Sequence, residues 1–100
     1  MKYNNNTFKF EKISLQKLAK KYETPLYCYS YKKLKQNIDD FKLNFKSFSP
    51  LICFATKANS NLKILKEIKK NGLGADVVSK GELMKALKAG ISSKKIVFSG

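Results

Sequence analysis

The chain has 100 residues, enough for one small domain, and carries a formal net charge of +14 from 21 basic and seven acidic residues. Every basic residue is a lysine, and the lysines are scattered along the chain. Because base readers and phosphate clamps depend on arginine, we expect no nucleic-acid partner despite the charge. Histidine is absent, which excludes a histidine-based triad or histidine-ligated metal within these residues.

Hydropathy and cysteine usage favour a cytoplasmic protein. The polar start at residues 1–6 is not followed by a hydrophobic stretch, so we expect no signal peptide. The longest apolar run, residues 51–55, is too short to span a bilayer, and we expect no membrane partner. Cys28 and Cys53 lack CxxC spacing and are interpreted as reduced, buried thiols.

The first half of the chain predicts two helices. Residues 14–22 carry a helical apolar face with Ser14 as N-cap, and we interpret residues 1–23 as a lead-in helix. Proline at position 25 ends this helix, and residues 26–29 predict a short strand. A longer helix over about 31–46 has its apolar stripe at Leu34, Ile38, Phe41 and Phe45.

From Leu51 onward the pattern alternates between strand and helix. Residues 51–55 predict a strand buried on both faces, 75–78 a second strand and 95–99 a third. Asn59 and Ser60 predict a turn and N-cap for a helix that Gly72 closes. The next helix begins with a capping box from Ser79 to Glu82, packs through Leu83, Met84 and Leu87, and ends at Gly90.

Strands and helices that alternate through short connections predict an α/β fold with a parallel sheet and right-handed crossovers. Spacing alone does not separate a (β/α)₈ barrel from an open doubly wound sheet. Three parallel strands leave an apolar edge exposed, and a barrel needs about 250 residues. We therefore expect the chain to be the front of a longer protein.

Lys57 is the candidate for chemistry, since it follows the most apolar strand. Ligands bind at the carboxyl end of strands in parallel α/β folds. A lysine that loses hydration there becomes a better nucleophile toward an aldehyde, which is what a Schiff-base lysine needs. Position alone favours the interpretation that Lys57 is merely a solvated lysine at a strand end.

The residues around Lys57 resemble a known family. FATKANSN at 54–61 is similar to the cofactor-lysine signature of fold-type III pyridoxal-phosphate decarboxylases, the ornithine, diaminopimelate and arginine decarboxylases. TPLYCY at 24–29, GADVVSKGEL at 74–83 and KIVFSG at 95–100 resemble further segments of that family, in the same order. The sequences of these segments are most similar to those of the diaminopimelate decarboxylase branch.

The resemblance implies an alanine-racemase-like (β/α)₈ TIM barrel, with residues 24–100 supplying about three strands of the pyridoxal-phosphate-binding domain. The rest of the barrel and the C-terminal β-domain would be absent. It implies that Lys57 holds pyridoxal 5'-phosphate and that Asp76 lies beside the cofactor, although Asp76 equally suits a satisfied strand-end acid. Glu82 is interpreted as structural, since a capping box accounts for it. The family's ring-stacking histidine and glycine-rich phosphate loop do not occur in these residues.

The implied function is decarboxylation of meso-diaminopimelate to L-lysine by a homodimeric enzyme that binds a small amino-acid substrate. Alternatives are another superfamily member acting on ornithine, arginine or carboxynorspermidine, and a basic nucleic-acid-binding fragment without enzyme activity. We expect the 100-residue chain alone to be inactive, because the groups that hold phosphate, ring nitrogen and substrate would lie beyond Gly100.

Overall fold

The structure is a computed structural model that describes residues 2–4 and 7–100, with side chains from residue 7 onward. The chain forms two compact units, Met1–Asp39 and Asp40–Gly100. The predicted boundary between residues 23 and 24 stays a prediction. No helix among the described residues is both long and apolar enough to cross a bilayer.

The first unit contains an antiparallel sheet that the sequence did not predict. Its strands are β1 (Lys2–Asn4), β2 (Thr7–Phe10) and β3 (Ile13–Ser14), in the spatial order β1-β2-β3. The predicted first helix is confirmed as α1 (Leu15–Tyr22), and the Ser14 hydroxyl accepts a hydrogen bond from the Lys17 amide, as the N-cap assignment requires. The lead-in segment is thus a small sheet followed by a helix.

The strand predicted at residues 26–29 is wrong. These residues have no regular secondary structure, and Tyr27 is 89% exposed. A short β-prone run becomes a strand only when a neighbouring strand supplies backbone partners, and the described residues provide none here. The following helix, α2 (Tyr31–Asn44), is confirmed with nearly its predicted length, and Ile38 of its stripe is buried.

The second unit contains the predicted parallel sheet. Its strands are β4 (Cys53–Ala55), β5 (Gly74–Val77) and β6 (Ile96–Phe98), with β5 central and parallel to both neighbours. Helix α3 (Leu62–Lys70) connects β4 to β5, and α4 (Lys80–Lys88) connects β5 to β6. Asp76 lies in register with Ala55 on one side and Val97 on the other. The α/β prediction is confirmed, while the three strands form an open sheet.

Both crossover helices end in the same glycine motif. Gly72 (φ 80°) follows α3 and donates to the Lys69 carbonyl, and Leu73 donates to the Ile68 carbonyl. Gly90 (φ 95°) and Ile91 repeat this pattern after α4. These two bonds define the Schellman motif, whose left-handed position favours glycine. Ile68, Leu73 and Ile91 are all buried, so each helix ends with an apolar contact to the core.

The core lies between the helices and the central strand, where Leu65, Ile68, Ala75, Val77 and Ala86 are fully buried. Two packing predictions are wrong. Strand β4 is half-buried and Leu51 is 50% exposed, because β4 is an edge strand and not a central one. In α4 the fully buried residue is Ala86, whereas Met84 and Leu87 lie on the exposed side.

Candidate functional site

The carboxyl ends of the three parallel strands carry Lys57 and the polar groups around it. Lys57 follows β4 in a single 3₁₀ turn, Thr56–Ala58, which is closed by a hydrogen bond from the Asn59 amide to the Thr56 carbonyl. The Lys57 side chain is exposed, and among the described residues it makes no hydrogen bond. The turn therefore presents a primary amine at the edge where parallel α/β folds bind ligands.

Thr56, directly before Lys57, is the buried polar residue of this edge, with 1% of its surface exposed. Its hydroxyl oxygen lies 2.7 Å from Glu82 Oε1 and 3.1 Å from the Asp76 carbonyl oxygen. A hydroxyl has one proton to donate, and the Glu82 carboxylate is both the nearer and the stronger of the two acceptors. The Thr56 hydroxyl thus donates chiefly to Glu82 and ties the end of β4 to helix α4.

Glu82 accepts at one oxygen from two different strand ends. Besides Thr56, the backbone amide of Val78 donates to Oε1 at 2.9 Å. The Thr56 hydrogen bond, followed by that from Val78, holds the pKa of Glu82 below its usual value, and Lys57 contributes further lowering. A carboxylate with two donors and a nearby ammonium stays ionised, so this edge carries a fixed negative charge beside Lys57.

Of the two hydrogen bonds of the predicted capping box, one is confirmed. Ser79 Oγ accepts from the Glu82 amide at 3.1 Å, as an N-cap does. The reciprocal bond from Glu82 to the Ser79 amide is replaced by the contacts to Thr56 and Val78. The N-cap of α3 also differs from the prediction: it is Asn61, whose side chain accepts from the Lys63 amide, while Asn59 accepts from the Asn61 amide.

Asp76 lies in β5 and is hydrogen-bonded to the residue that follows the neighbouring strand β6. Ser99 Oγ donates to Asp76 Oδ1 at 2.6 Å, so β5 and β6 are joined at the same edge at which Thr56 and Glu82 join β4 to α4. Asp76 and Lys57 both act electrostatically on Glu82. The structure therefore brings both predicted site residues to one edge, and the role of Asp76 toward a cofactor stays a prediction.

Three members of this edge, Thr56, Glu82 and Ser99, were not assigned to the site from the sequence. A signal existed for two of them, since Thr56 follows a predicted strand and Ser99 is the last residue of another, at the ends where parallel sheets collect functional groups. Glu82 carried a local signal that favoured a different explanation, the capping box. Its contact with Thr56 joins residues 26 positions apart, which no local pattern reveals.

Of the two cysteines, Cys53 begins β4 and Cys28 belongs to the first unit. Both are free and half-buried, not fully buried as predicted. Burial is the main cause that raises the pKa of the Cys53 thiol, with Asp76 a smaller one, so this thiol stays protonated. Cys28 lines an open groove of about 530 Å³ within the first unit.

The chemistry of the edge suits the covalent anchor of pyridoxal phosphate. An exposed primary amine can bond to an aldehyde, and two carboxylates with bonded hydroxyl groups can hold positive charge or a proton nearby. Residues for the phosphate are not apparent on this edge among those described, and the described residues contain no cluster of metal ligands. The residues thus fit the anchoring half of such a site.

Comparison with known proteins identifies similar chains. The family described as "Pyridoxal-dependent decarboxylase, pyridoxal binding domain" matches residues 31–100. A diaminopimelate decarboxylase from Helicobacter pylori strain J99 is 52% identical over 88 residues, which cover 88% of this chain and 22% of that protein. The chain thus spans about a fifth of the length of this curated relative.

Solved structures of diaminopimelate decarboxylases are also similar to this chain. Diaminopimelate decarboxylase from M. jannaschii, in co-complex with L-lysine, matches with a TM-score of 0.90 and 37% identity over 97% of this chain and 24% of that one. The Helicobacter pylori enzyme complexed with L-lysine matches with a TM-score of 0.78 and 47% identity over 83% of this chain and 21% of that one.

Proposed function

This chain belongs to the pyridoxal-dependent decarboxylases, and from that premise we propose that it anchors pyridoxal 5'-phosphate through Lys57 as part of a diaminopimelate decarboxylase. The observation that carries the proposal is the position of Lys57. It lies exposed in the turn after β4, at the edge where Glu82 and Asp76 are held by hydroxyl groups from neighbouring segments. Conversion of meso-diaminopimelate to L-lysine is supported by the names of the relatives and by the lysine bound in two of them.

We propose that the three strands are the first part of a (β/α)₈ barrel of the alanine-racemase type. The parallel order β4-β5-β6 with one helix between successive strands supports this, because a barrel repeats this unit. Among the described residues no strand pairs with the outer side of β4 or β6, and Val97 and Phe98 of β6 are about half exposed. A barrel would pair both edges and bury such residues.

We assign a different role to each residue at this edge. When bound, pyridoxal phosphate supplies the electron sink that receives the electron pair left as carbon dioxide departs. Lys57 Nζ provides the amine that bonds to the cofactor. Glu82, kept ionised by Thr56 and Val78, supplies negative charge beside that amine, and Asp76, held by Ser99, is the second carboxylate. Histidine, arginine and a phosphate loop would have to come from other parts of the complete gene product.

The oligomeric state, location and partners of the enzyme are part of the same proposal. We propose a homodimeric, cytoplasmic enzyme whose partner is a small amino acid and neither nucleic acid nor a membrane. Charge alone does not require a polyanion partner, because all 21 basic residues are lysines that are distributed along the chain.

The test is to map the cofactor bond in the complete gene product. After borohydride reduction, peptide mass mapping should find the pyridoxyl group on Lys57. Lys57→Ala should abolish the bound-cofactor absorbance and the release of carbon dioxide, whereas the control Lys63→Ala, an exposed lysine of α3, should keep both. A pyridoxyl group on a different lysine would contradict the proposal.

Substrate choice needs a separate measurement. Wild-type protein should release carbon dioxide from meso-diaminopimelate with a higher kcat/KM than from ornithine, arginine or carboxynorspermidine. Faster turnover of one of these three amines would assign the chain to another branch of the same superfamily and leave the role of Lys57 intact.

A further inference from the structure

We propose that Glu82 is a positioning residue for Lys57: its carboxylate and the Thr56 hydroxyl form a clamp that fixes the turn carrying the lysine. The clamp is defined as the hydrogen bonds that Glu82 Oε1 accepts from the Thr56 hydroxyl and the Val78 amide. The inference rests on the proposed role of Lys57 as the cofactor lysine and assigns to Glu82 a role beyond helix capping.

The geometry joins three elements at one atom. Thr56 Oγ1, from the turn after β4, lies 2.7 Å from Glu82 Oε1. The Val78 amide, from the end of β5, lies 2.9 Å from the same oxygen. Glu82 is itself fixed at the start of α4, where its amide donates to Ser79 Oγ at 3.1 Å. One carboxylate oxygen therefore links the ends of β4 and β5 just beyond their last paired residues.

The clamp acts on the residue next to the lysine. The turn Thr56–Ala58 is only three residues long, and the strand pairing of β4 ends at Ala55. Beyond that point Thr56 is the buried residue of the turn, so its side chain is the inward anchor. Lys57 has four rotatable side-chain bonds, and the direction in which it starts depends on the backbone that Thr56 holds.

A helix cap alone would not need this arrangement. The Ser79 hydroxyl already satisfies the Glu82 amide, and Glu82 forgoes the reciprocal capping bond to reach Thr56 instead. Thr56 in turn brings a hydroxyl into a site with 1% exposure, where an unpaired polar group would be costly. Both residues thus use their hydrogen-bonding capacity to link two strand ends beside Lys57.

The experiment measures how fast pyridoxal phosphate reacts with Lys57 in the cofactor-free complete gene product. The protein is exposed briefly to pyridoxal phosphate and reduced with borohydride, and the label on Lys57 is quantified by peptide mass mapping against the label on the other lysines. Four variants are compared: Thr56→Val, which is isosteric but has no donor; Thr56→Ser, which restores it; Glu82→Gln, which keeps an acceptor but no charge; and Asp40→Asn, an exposed acid of α2 as the matched charge control.

Thr56→Val should label Lys57 about tenfold more slowly, the scale of one hydrogen bond to a charged group. Glu82→Gln should fall between it and wild type, because the bonds persist without charge assistance. Thr56→Ser and Asp40→Asn should stay within about twofold of wild type, since each leaves a hydrogen bond to the charged carboxylate intact. Thermal midpoints are measured alongside, so that labelling is compared only among folded proteins.

The outcomes separate the two proposals. Equal labelling of Lys57 in wild type and Thr56→Val, with only the thermal midpoint lowered, would show a structural bond and overturn the clamp alone. If Thr56→Val does not fold, Glu82→Gln decides in the same way, because wild-type labelling in that variant removes the role of the carboxylate. Wild-type protein that does not label Lys57 above the other lysines would overturn the proposed function and the clamp with it.

Discussion

Gly74, the first residue of β5, is tightly enclosed by its neighbours in the parallel sheet. A Cβ atom built on Gly74 would lie 2.1 Å from the carbonyl oxygen of Lys95 and 3.1 Å from Cys53 Sγ. The first distance is about 1.3 Å short of the 3.4 Å at which ordinary contact begins. Because the obstacle is backbone just before β6, a rotamer change cannot relieve it. We predict that Gly74→Ala destabilises the protein and separates β5 from β6.

The magnitude follows from two opposing contributions. Overpacking a core costs about 1–3 kcal/mol, and a backbone obstacle places Gly74→Ala at the upper end of that range. Alanine also restricts the unfolded chain, which returns about 0.4–1 kcal/mol. The net loss in the free energy of unfolding should be about 2 kcal/mol or more.

Gly81 supplies the matched control. It lies in α4, has no positive φ, and a Cβ there would find only Ser79 Oγ, at 3.9 Å. Gly81→Ala should therefore stabilise the helix by up to about 1 kcal/mol. The two alanine variants, identical in composition, should differ by about 3 kcal/mol in opposite directions from wild type.

Urea unfolding of the complete gene product gives the global change, and native-state hydrogen exchange gives the local one. Amides of β5 and β6 should exchange faster in Gly74→Ala, because opening of this part of the sheet becomes less costly. Unfolding free energies for Gly74→Ala and Gly81→Ala that agree within about 0.5 kcal/mol, with unchanged exchange in β5, would contradict this prediction.

Three further predictions concern the titration of Glu82, the behaviour of residues 1–100 expressed alone and binding to nucleic acid. Since the pKa of Glu82 is lowered from its usual 4.5, first by Thr56 and then by Val78, its stabilising contribution is present above pH 4.5 and is lost as the pH falls through the folded value. The thermal midpoints of wild type and Glu82→Gln should therefore converge as the pH falls below 4.5, and a difference that does not shrink on acidification would contradict this. Residues 1–100 expressed alone should neither unfold cooperatively nor release carbon dioxide from an amino acid, because apolar residues such as Phe98 remain about half exposed and the strand edges unpaired; a sharp calorimetric transition would count against this. Binding to DNA or RNA should be weak and insensitive to sequence at physiological salt, and tight selective binding in a titration there would overturn the expectation.

The second half of the fold could be predicted from sequence because its signals are local and agree with one another. Apolar runs mark the strands, and Gly72 and Gly90 end the helices through left-handed positions that favour glycine. The errors there concern burial. Periodicity shows which side chains share a face but not which neighbours cover that face, so Met84 and Leu87 were expected inside and lie outside.

The antiparallel sheet at the start escaped prediction for a definable reason. Phe10 pairs with Ile13 across a two-residue loop, and both loop residues, Glu11 and Lys12, have positive φ. Such hairpin loops usually carry Asn-Gly or Asp-Gly, because those residues tolerate the left-handed region. With Glu-Lys in the loop and a strand of only four residues before it, neither the turn nor the alternation provided a usable signal.

The candidate site could be predicted from the sequence only in part. Lys57 could be identified because a continuous motif surrounds it, whereas Glu82, Asp76 and Ser99 come from distant parts of the chain. Thr56 and Glu82 are 26 residues apart, and Asp76 and Ser99 are 23 apart. These separations are close to the length of one strand, its crossover helix and the connecting turns. A right-handed parallel crossover returns the chain to the same edge after each such unit.

Each further unit that pairs with this sheet would therefore add its own strand-end residues to the edge that holds Lys57. Polar links already connect three successive strand ends: Glu82 accepts from both Thr56 and Val78, and Ser99 donates to Asp76. A phosphate or substrate group at this edge would be reached by backbone amides and side chains that follow later strands, just as Val78 and Ser99 follow β5 and β6. The turn that carries Lys57 is thus held by hydrogen bonds within these residues, while we expect affinity for the cofactor to depend on how many strand ends meet around it.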